Sequence, residues 1–379
     1  MRRRKKMVVI ADSPMHITGG KSYGFGPVVR EFEFLLQEFD EITWMGFIWP
    51  NDDGNPIYDE IKNPRLKLEP IKLIGGQSIK QKLEVLVNTP RMIVKIFRLV
   101  LSADIVHTRG PSSPAFLACL LSLVFRRKIW WNKYAGNWMQ ENPPAFYALQ
   151  KKLLLKLKHT KVTINGYWNK QPQHCISFEN PCLYDDDLIL GLTVAAQKSF
   201  HGDISCLFVG RLEEEKGVQR IIDSFKGLNT NRIITLHFVG NGRNRTNFEA
   251  QAKELSFKTY FHGFLSHAAV HALFKEAHFL LLPSMASEGF PKVIAEAACY
   301  GCIPVVSDIS SITHYVKHQQ NGFVWEIKGT KSYGEVLLET LSQPAERLSQ
   351  IAMAGNDMAT QFGFSAFLKK LKITLALDD

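Results

Sequence analysis

The sequence predicts an α/β chain of two parallel-sheet domains, and three observations carry that prediction. The chain has 379 residues, more than one domain ordinarily holds. Short apolar runs alternate with amphipathic stretches, which is the pattern of parallel strands joined by crossover helices. Twice in the C-terminal half, an apolar run ends in a Gly- or Pro-bearing loop rich in charge, and a helical pattern follows at once. Apolar residues make up 45%, enough for two packed cores, and charged residues 22%, which argues against a disordered chain.

In the first half, strands are predicted at Met7–Ala11, Ile42–Met45, Ile105–His107, Lys128–Asn132 and Lys161–Asn165. Thr89-Pro90 resembles an N-cap followed by a first-turn proline. The helix after it puts Arg91, Lys95 and Arg98 on one stripe, with Met92, Ile93, Ile96, Phe97, Leu99 and Val100 around the rest. Between Tyr184 and Gly202 the apolar pattern breaks and Asp185-Asp186-Asp187 appears, so a linker is expected there. The expected division is 1–190, 191–360, and a C-terminal helix over 361–379, within a helical stretch from Glu346 to Leu377.

The second half carries the chemistry. Cys206–Gly210 is a strand pattern, and Arg211-Leu212-Glu213-Glu214-Glu215-Lys216-Gly217 leads into an amphipathic helix with Val218, Ile221, Ile222 and Phe225. Arg211 then stands at a strand end and Lys216 at a helix start. Ligands of open α/β sheets bind at the carboxyl ends of the strands. A guanidinium fork, an ammonium and a helix N-terminus there suit a diphosphate. The plainer alternative pairs both cations with Glu213–Glu215 in a solvated loop. Downstream, Phe279–Leu282 reads as a buried strand ending at Pro283, and Glu288-Gly289-Phe290-Pro291-Lys292 opens a helix that stops at Gly301. Glu288 lies just outside that helix and Glu296 about one and a half turns into it. The alternative is a solvated pair of carboxylates beside a turn.

Together these segments resemble the retaining glycosyltransferases of the GT-B fold, glycosyltransferase family 4, also called glycosyl transferases group 1. The matching residues are Val209-Gly210-Arg211-Leu212 with Lys216-Gly217, Phe238–Gly242, His262-Gly263-Phe264, Glu288–Pro291 with Glu296-Ala297, Gly301–Ser307, and Asn321–Val324. Order and spacing agree over about residues 204–326. The N-terminal half matches more loosely, through Gly19-Gly20 and Asp104–His107. The resemblance implies two Rossmann-like domains facing each other across a cleft, with a C-terminal helix crossing back to the first. It implies a nucleotide-diphosphate sugar as co-substrate, no cofactor and no metal. Arg211 and Lys216 would neutralise the donor diphosphate. Glu288 and the backbone of Gly289, Phe290, Pro291 and Lys292 would hold the sugar, and Glu296 the ribose hydroxyls. Gly210, Gly240, Gly263 and Phe264 would line the donor pocket. The acceptor would be a hydroxyl of a glycan or lipid-linked acceptor, in assembly of a cell-surface polysaccharide or glycolipid, such as lipopolysaccharide or capsule.

Three departures from the family pattern stand out. Ala135 occupies the place of a histidine that many members carry in a His-Gly turn; His16 and Arg109, with Gly19 and Gly20, are the acceptor-side candidates. Ser310-Ser311-Ile312-Thr313-His314 stands where Gly-Gly-Ile-Pro-Glu is frequent, and Asn241 where Asp is frequent. These departures keep open a degenerate binding or activating subunit. A nucleotide-sugar epimerase on the same fold is the other alternative.

Charge is uneven. Up to position 190 there are 27 Lys and Arg against 18 Asp and Glu, a surplus of 9 out of the formal +10. Arg2 to Lys6 and Lys80 and Lys82 add to the Arg91 stripe. That surplus suits docking on an anionic membrane surface as well as plain solubility. Nucleic acid is not expected, because the cations lack interleaved stacking residues. Arg2–Lys6 are followed by too short an apolar run for a signal peptide, and no run of about 20 apolar residues occurs. The six cysteines are scattered, and Cys299-x-x-Cys302 lacks a second pair, so it reads as structural rather than metal-binding. The expected location is cytoplasmic, with peripheral placement on the inner face of the membrane.

Overall fold

The computed structural model describes residues 5–49, 55–72 and 79–377, without the side chains of 79–87. Arg2, Arg3 and Arg4 and the side chains of Lys80 and Lys82 lie outside the described residues. The chain forms two compact units, Met1–Phe178 with Leu368–Asp379, and Glu179–Phe367.

The first unit is a mixed sheet. Its strands are β1 (Lys6–Thr18), β2 (Lys21–Phe25), β3 (Glu41–Ile48), β4 (Tyr58–Glu60), β5 (Leu66–Lys72), β6 (Ile105–Gly110), β7 (Ile129–Tyr134), β8 (Lys161–Asn165) and β9 (Cys175–Phe178). Its helices are α1 (Gly26–Leu35), α2 (Ile79–Ser102), α3 (Ser113–Leu121) and α4 (Ala145–Lys156). The parallel part runs β5-β3-β1-β6-β7-β8-β9. β1 is longer than its apolar core at Met7–Ala11. An irregularity between Ile10 and Pro14 redirects it, and its second half pairs antiparallel with β2, which pairs with β4. Gly19 and Gly20, at φ 57° and 75°, make the two-residue turn of that hairpin.

Two expectations are corrected here. α2 does not begin at Thr89: it runs through Pro90 from Ile79. Pro90 removes one helical hydrogen bond, but Met92, Ile96 and Val100 are buried against the sheet and anchor the helix beyond it. The Tyr184–Gly202 stretch is no linker. It holds helix α5 (Asp185–Gln197) in the second unit. Aspartates in a first turn complement the helix dipole, and Asp187 accepts from the Tyr184 backbone N–H at 2.9 Å. The division accordingly falls at Phe178/Glu179, earlier than residue 190.

The second unit has six strands, all parallel: β10 (Ile204–Val209), β11 (Ile234–Val239), β12 (Lys258–Gly263), β13 (Phe279–Leu282), β14 (Ile303–Ser307) and β15 (Phe323–Trp325). Their order is β12-β11-β10-β13-β14-β15. Around them lie α6 (Val218–Lys226), α7 (Arg245–Ala252), α8 (His267–Glu276), α9 (Lys292–Cys299), α10 (Ile312–Tyr315), α11 (Tyr333–Leu341) and α12 (Ala345–Ala359). One continuous core of strand residues and inward helix faces holds them together. Order reverses at β10/β13, where β13 returns to the opposite side of β10 from β11. In open α/β sheets such a reversal marks the ligand-binding crevice, at the carboxyl ends of the strands.

The last helix, α13 (Phe364–Leu375), begins in the second unit and ends in the first. Within the first unit, Lys372 pairs with the buried Glu38 at 3.4 Å, and Lys5 Nζ donates to Leu377 O at 2.5 Å. All six cysteines are buried and free. Among the described residues, no helix is long and apolar enough to cross a membrane.

Candidate active site

In the second unit, the loops after β10, β11, β12 and β13 are tied to one another at the carboxyl ends of the strands. Gly240 donates to Gly263 O at 2.7 Å, Gly210 to Val239 O at 3.0 Å, and Leu212 to Asn241 O at 3.0 Å. Met285 donates to Glu215 O at 2.7 Å, which joins the β10 loop to the β13 loop. Two glycines permit these approaches. A Cβ on Gly240 (φ 123°) would lie 1.9 Å from Gly210 O, and one on Gly217 (φ 86°) 2.2 Å from Pro283 O. Real Cβ atoms do not come so near, and side-chain-bearing residues rarely adopt such φ.

That packing lets Lys216 meet Glu288. The Lys216 ammonium donates to Glu288 Oε1, with the lysine side chain 13% and the carboxylate 33% exposed. The pair is therefore partly open to a ligand. Arg211 behaves differently. It is 62% exposed and pairs with Glu213 at 2.9 Å on its own loop. For Arg211 the solvated-loop alternative describes this structure; for Lys216 it does not.

Following Glu288 in the chain, α9 begins at Lys292, with Pro291 as its N-cap. Phe290 points away from the crevice: it is 2% exposed and stacks on Phe362 at 4.5 Å. The Lys292 ammonium donates to Pro181 O at 2.7 Å. These two residues thus offer backbone, not side chain, to a ligand at the helix start. Gly263 ends β12 and the half-exposed Phe264 follows it, just before Ser266 caps α8 by accepting from Ala269 N at 3.3 Å.

Sequence reasoning missed the surroundings of Glu296. One ligand atom of each of Glu296, His267 and His271 lies within 4.8 Å of the others. The signal was available, because His-x-x-x-His at the start of a helix places both rings on one face. His271 is buried; its Nδ1 lies 2.9 Å from Tyr300 Oη, and Tyr300 donates to Asp187 at 3.1 Å. Burial alone would raise the Asp187 carboxyl. Hydrogen bonds from His271, the Tyr184 N–H and Tyr300 more than offset that and hold it at about 2. The Ser310-Ser311 loop was read as a departure only. Ser310 adopts φ 57°, and both hydroxyls are buried with no hydrogen-bond partner among the described residues.

The acceptor-side candidates lie in the first unit. His16 is 5% exposed, stacked on Tyr23 of the hairpin at 5.0 Å and edge-on to Tyr58 of β4 at 4.8 Å. Arg109 donates to the fully buried Glu31 at 2.8 Å, and Lys133 shares that carboxylate at 2.7 Å. The two cations therefore share one buried carboxylate near the carboxyl ends of β6 and β7. His107 is fully buried against Trp131, its ring stacked at 3.6 Å. Burial, with Arg109 nearby, keeps it neutral, well below the usual histidine range.

Residues 194–357 match the family model described as Glycosyl transferases group 1, most of the second unit. An uncharacterized glycosyltransferase of Methanocaldococcus jannaschii is 31% identical over 121 residues, 31% of this chain and 30% of the relative. Glycogen synthase of Mycobacterium tuberculosis is 30% identical over 171 residues, 44% of this chain and 41% of the relative. The chain thus spans under half the length of these curated relatives. The crystal structure of Anabaena HepE in complex with UDP superposes with a TM-score of 0.69 at 15% identity, covering 98% of this chain and 99% of that one. Such a likeness shows the fold, which is GT-B: α/β, with parallel sheets in two Rossmann-like halves.

Proposed function

We propose that this chain is a retaining glycosyltransferase that moves a hexose from a nucleotide-diphosphate sugar to a hydroxyl of a glycan or lipid-linked acceptor. The observation that carries the reading is the Lys216–Glu288 pair, held at the carboxyl ends of β10 and β13 within the region matched by the glycosyltransferase family model. Support for a nucleotide comes from HepE, whose structure holds UDP.

In this reading the donor diphosphate takes the place beside Lys216, and Arg211 swings from Glu213 to join it. Glu288, released from its lysine, accepts from sugar hydroxyls. As the anomeric bond breaks, negative charge grows on the leaving oxygen. Preorganised cations and the N–H groups at the start of α9 stabilise that charge more than they stabilise the bound donor. The departing phosphate takes the acceptor proton on the same face, so no protein nucleophile is required. Glu296 accepts from the ribose hydroxyls. With Arg211 and Lys216 neutralising the leaving group, the reaction needs no metal.

A lipid-linked acceptor fits the face of α2. Arg91 and Arg98 are exposed there beside Ile93, Val94, Phe97 and Leu101, and the neighbouring α3 end adds Leu123 and Val124. Apolar side chains among cations suit the interface of an anionic membrane. Lys95 shares that stripe with Arg91 and Arg98, but its charge is already tied to Glu69 at 2.9 Å and to Pro70 O.

The test is a donor panel. The protein is incubated with UDP-, GDP- and ADP-hexoses and nucleotide release is followed, first without and then with glycan acceptors. Release from at least one donor, and a product with the donor's anomeric configuration by NMR, are expected. No turnover and no nucleotide binding across the panel would refute the reading in favour of a degenerate subunit.

A further inference from the structure

We propose that His267, His271 and Glu296 form a binding site for a divalent transition-metal ion of the zinc class. We further infer that this ion and the nucleotide ribose exclude each other, since both require Glu296. The site itself stands on geometry; the exclusion rests on the donor reading above.

The two histidines stand four residues apart at the start of α8, with ring centroids 4.0 Å from each other. Glu296 reaches them from α9, and one ligand atom from each of the three lies within 4.8 Å of the other two. Ligands about 2.0–2.1 Å from a tetrahedral zinc ion stand about 3.3 Å apart. Closing the set onto an ion therefore takes small side-chain rotations and no backbone movement. Two imidazoles and one carboxylate favour zinc, cobalt, nickel or copper over magnesium or calcium, and they leave a fourth position for water.

A second observation concerns His271, which is 5% exposed. Tyr300 donates to Asp187, so its oxygen accepts from His271 Nδ1. In the tautomer with its proton on Nδ1, Nε2 offers its lone pair, and that atom is buried with no hydrogen-bond partner among the described residues. A carboxylate and a phenol that fix one ring nitrogen, and so aim the other, are the outer arrangement of histidine metal ligands. The ion would not serve the transfer step, in which Lys216 and Arg211 meet the phosphates. It would withdraw Glu296 from the donor and slow the enzyme.

Cobalt(II) titration of the full chain, followed by visible absorption, tests the site. One ion per chain with the intense bands of a four-coordinate site is expected, displaced by zinc. H267Q and H271Q should each weaken binding at least tenfold, and D187N by about tenfold through the ring it orients. Thermal melting checks folding, and the half-exposed His267 keeps the test readable if H271Q unfolds. A nucleoside diphosphate found to bind in a panel of UDP, GDP and ADP is then added. It should raise the apparent Kd for cobalt, and cobalt should raise the Kd for the nucleotide by the same factor. Nucleotide binding without cobalt binding would overturn the metal site and leave the donor reading standing. Cobalt binding with no nucleotide binding would support the site while refuting the donor reading. Binding of both without mutual effect would overturn the exclusion.

Discussion

Lys216 and Glu288 are 72 positions apart in the chain, yet the lysine ammonium donates directly to the carboxylate. The pair exists because β10 and β13 are neighbours in the sheet and their following loops are bonded through Met285 N and Glu215 O. In the proposed donor site, an anion arriving at Lys216 would compete with Glu288 for the ammonium and free that carboxylate for the sugar. Donor binding and sugar recognition would then be coupled through one hydrogen bond.

Lys216→Ala should lower turnover by about 10²–10³ while melting changes little, because in the proposed mechanism the ammonium acts on charge that develops in the transition state. Arg211→Ala should behave alike, as an exposed side chain contributes little to folding. Steady-state kinetics beside a melting curve would check both, and near-normal turnover in folded Lys216→Ala would refute the diphosphate role.

The two carboxylates should separate kinetically. Glu288→Gln should lower kcat if, as proposed, it faces the reacting sugar. Glu296→Gln should mainly raise the Kd for nucleotide, since ribose contacts are shared by ground and transition states. Calorimetry with free nucleotide diphosphate decides, and unchanged affinity in Glu296→Gln would remove the ribose assignment.

Gly217→Ala should damage both stability and turnover. The added methyl would meet Pro283 O at 2.2 Å, at a φ of 86° where alanine is strained by about 1 kcal/mol or more. The β10 and β13 loops would then part and Lys216 would lose Glu288. A variant with wild-type melting and kinetics would show that the approach of the two loops is not needed.

Excess chelator should leave transfer unchanged in a preparation free of added metal. In the proposed mechanism Arg211 and Lys216 would supply the positive charge that a bound ion otherwise brings to the leaving group. Turnover measured with and without chelator, then with magnesium or manganese restored, checks this. An absolute requirement for a divalent ion would oppose the proposed neutralisation.

Vesicle co-sedimentation should show binding that needs anionic lipid and falls as salt rises, with screening over about 8 Å at physiological ionic strength. Arg91→Gln with Arg98→Gln should weaken it, whereas Lys95→Gln should matter less because Glu69 already holds that cation. Transfer to a soluble acceptor should survive in all three. Equal binding to neutral and anionic vesicles would leave α2 an ordinary solvated face.

The α/β class, the strand–loop–helix units around Arg211, Lys216, Glu288 and Glu296, and seven of the fifteen described strands were legible in the sequence. These features are local: apolar runs, glycines at turns and charge at strand ends lie within a few residues of one another. The C-terminal motifs kept the family's order, so their resemblance pointed to the fold seen here. Tertiary structure alone decided which charges meet. Lys216 and Glu288 pair through sheet order, Lys95 is spent on Glu69, and Arg109 and Lys133 share the buried Glu31. It also decided that Asp185–Gln197 is a helix and that Pro90 lies inside one, because packing outweighs the weak local preferences that marked a break and a start. His267 and His271 were one helix face from the sequence onward. Only the packing of α8 on α9 brought Glu296 to them, since pair distances across elements are set by the sheet beneath and not by spacing along the chain.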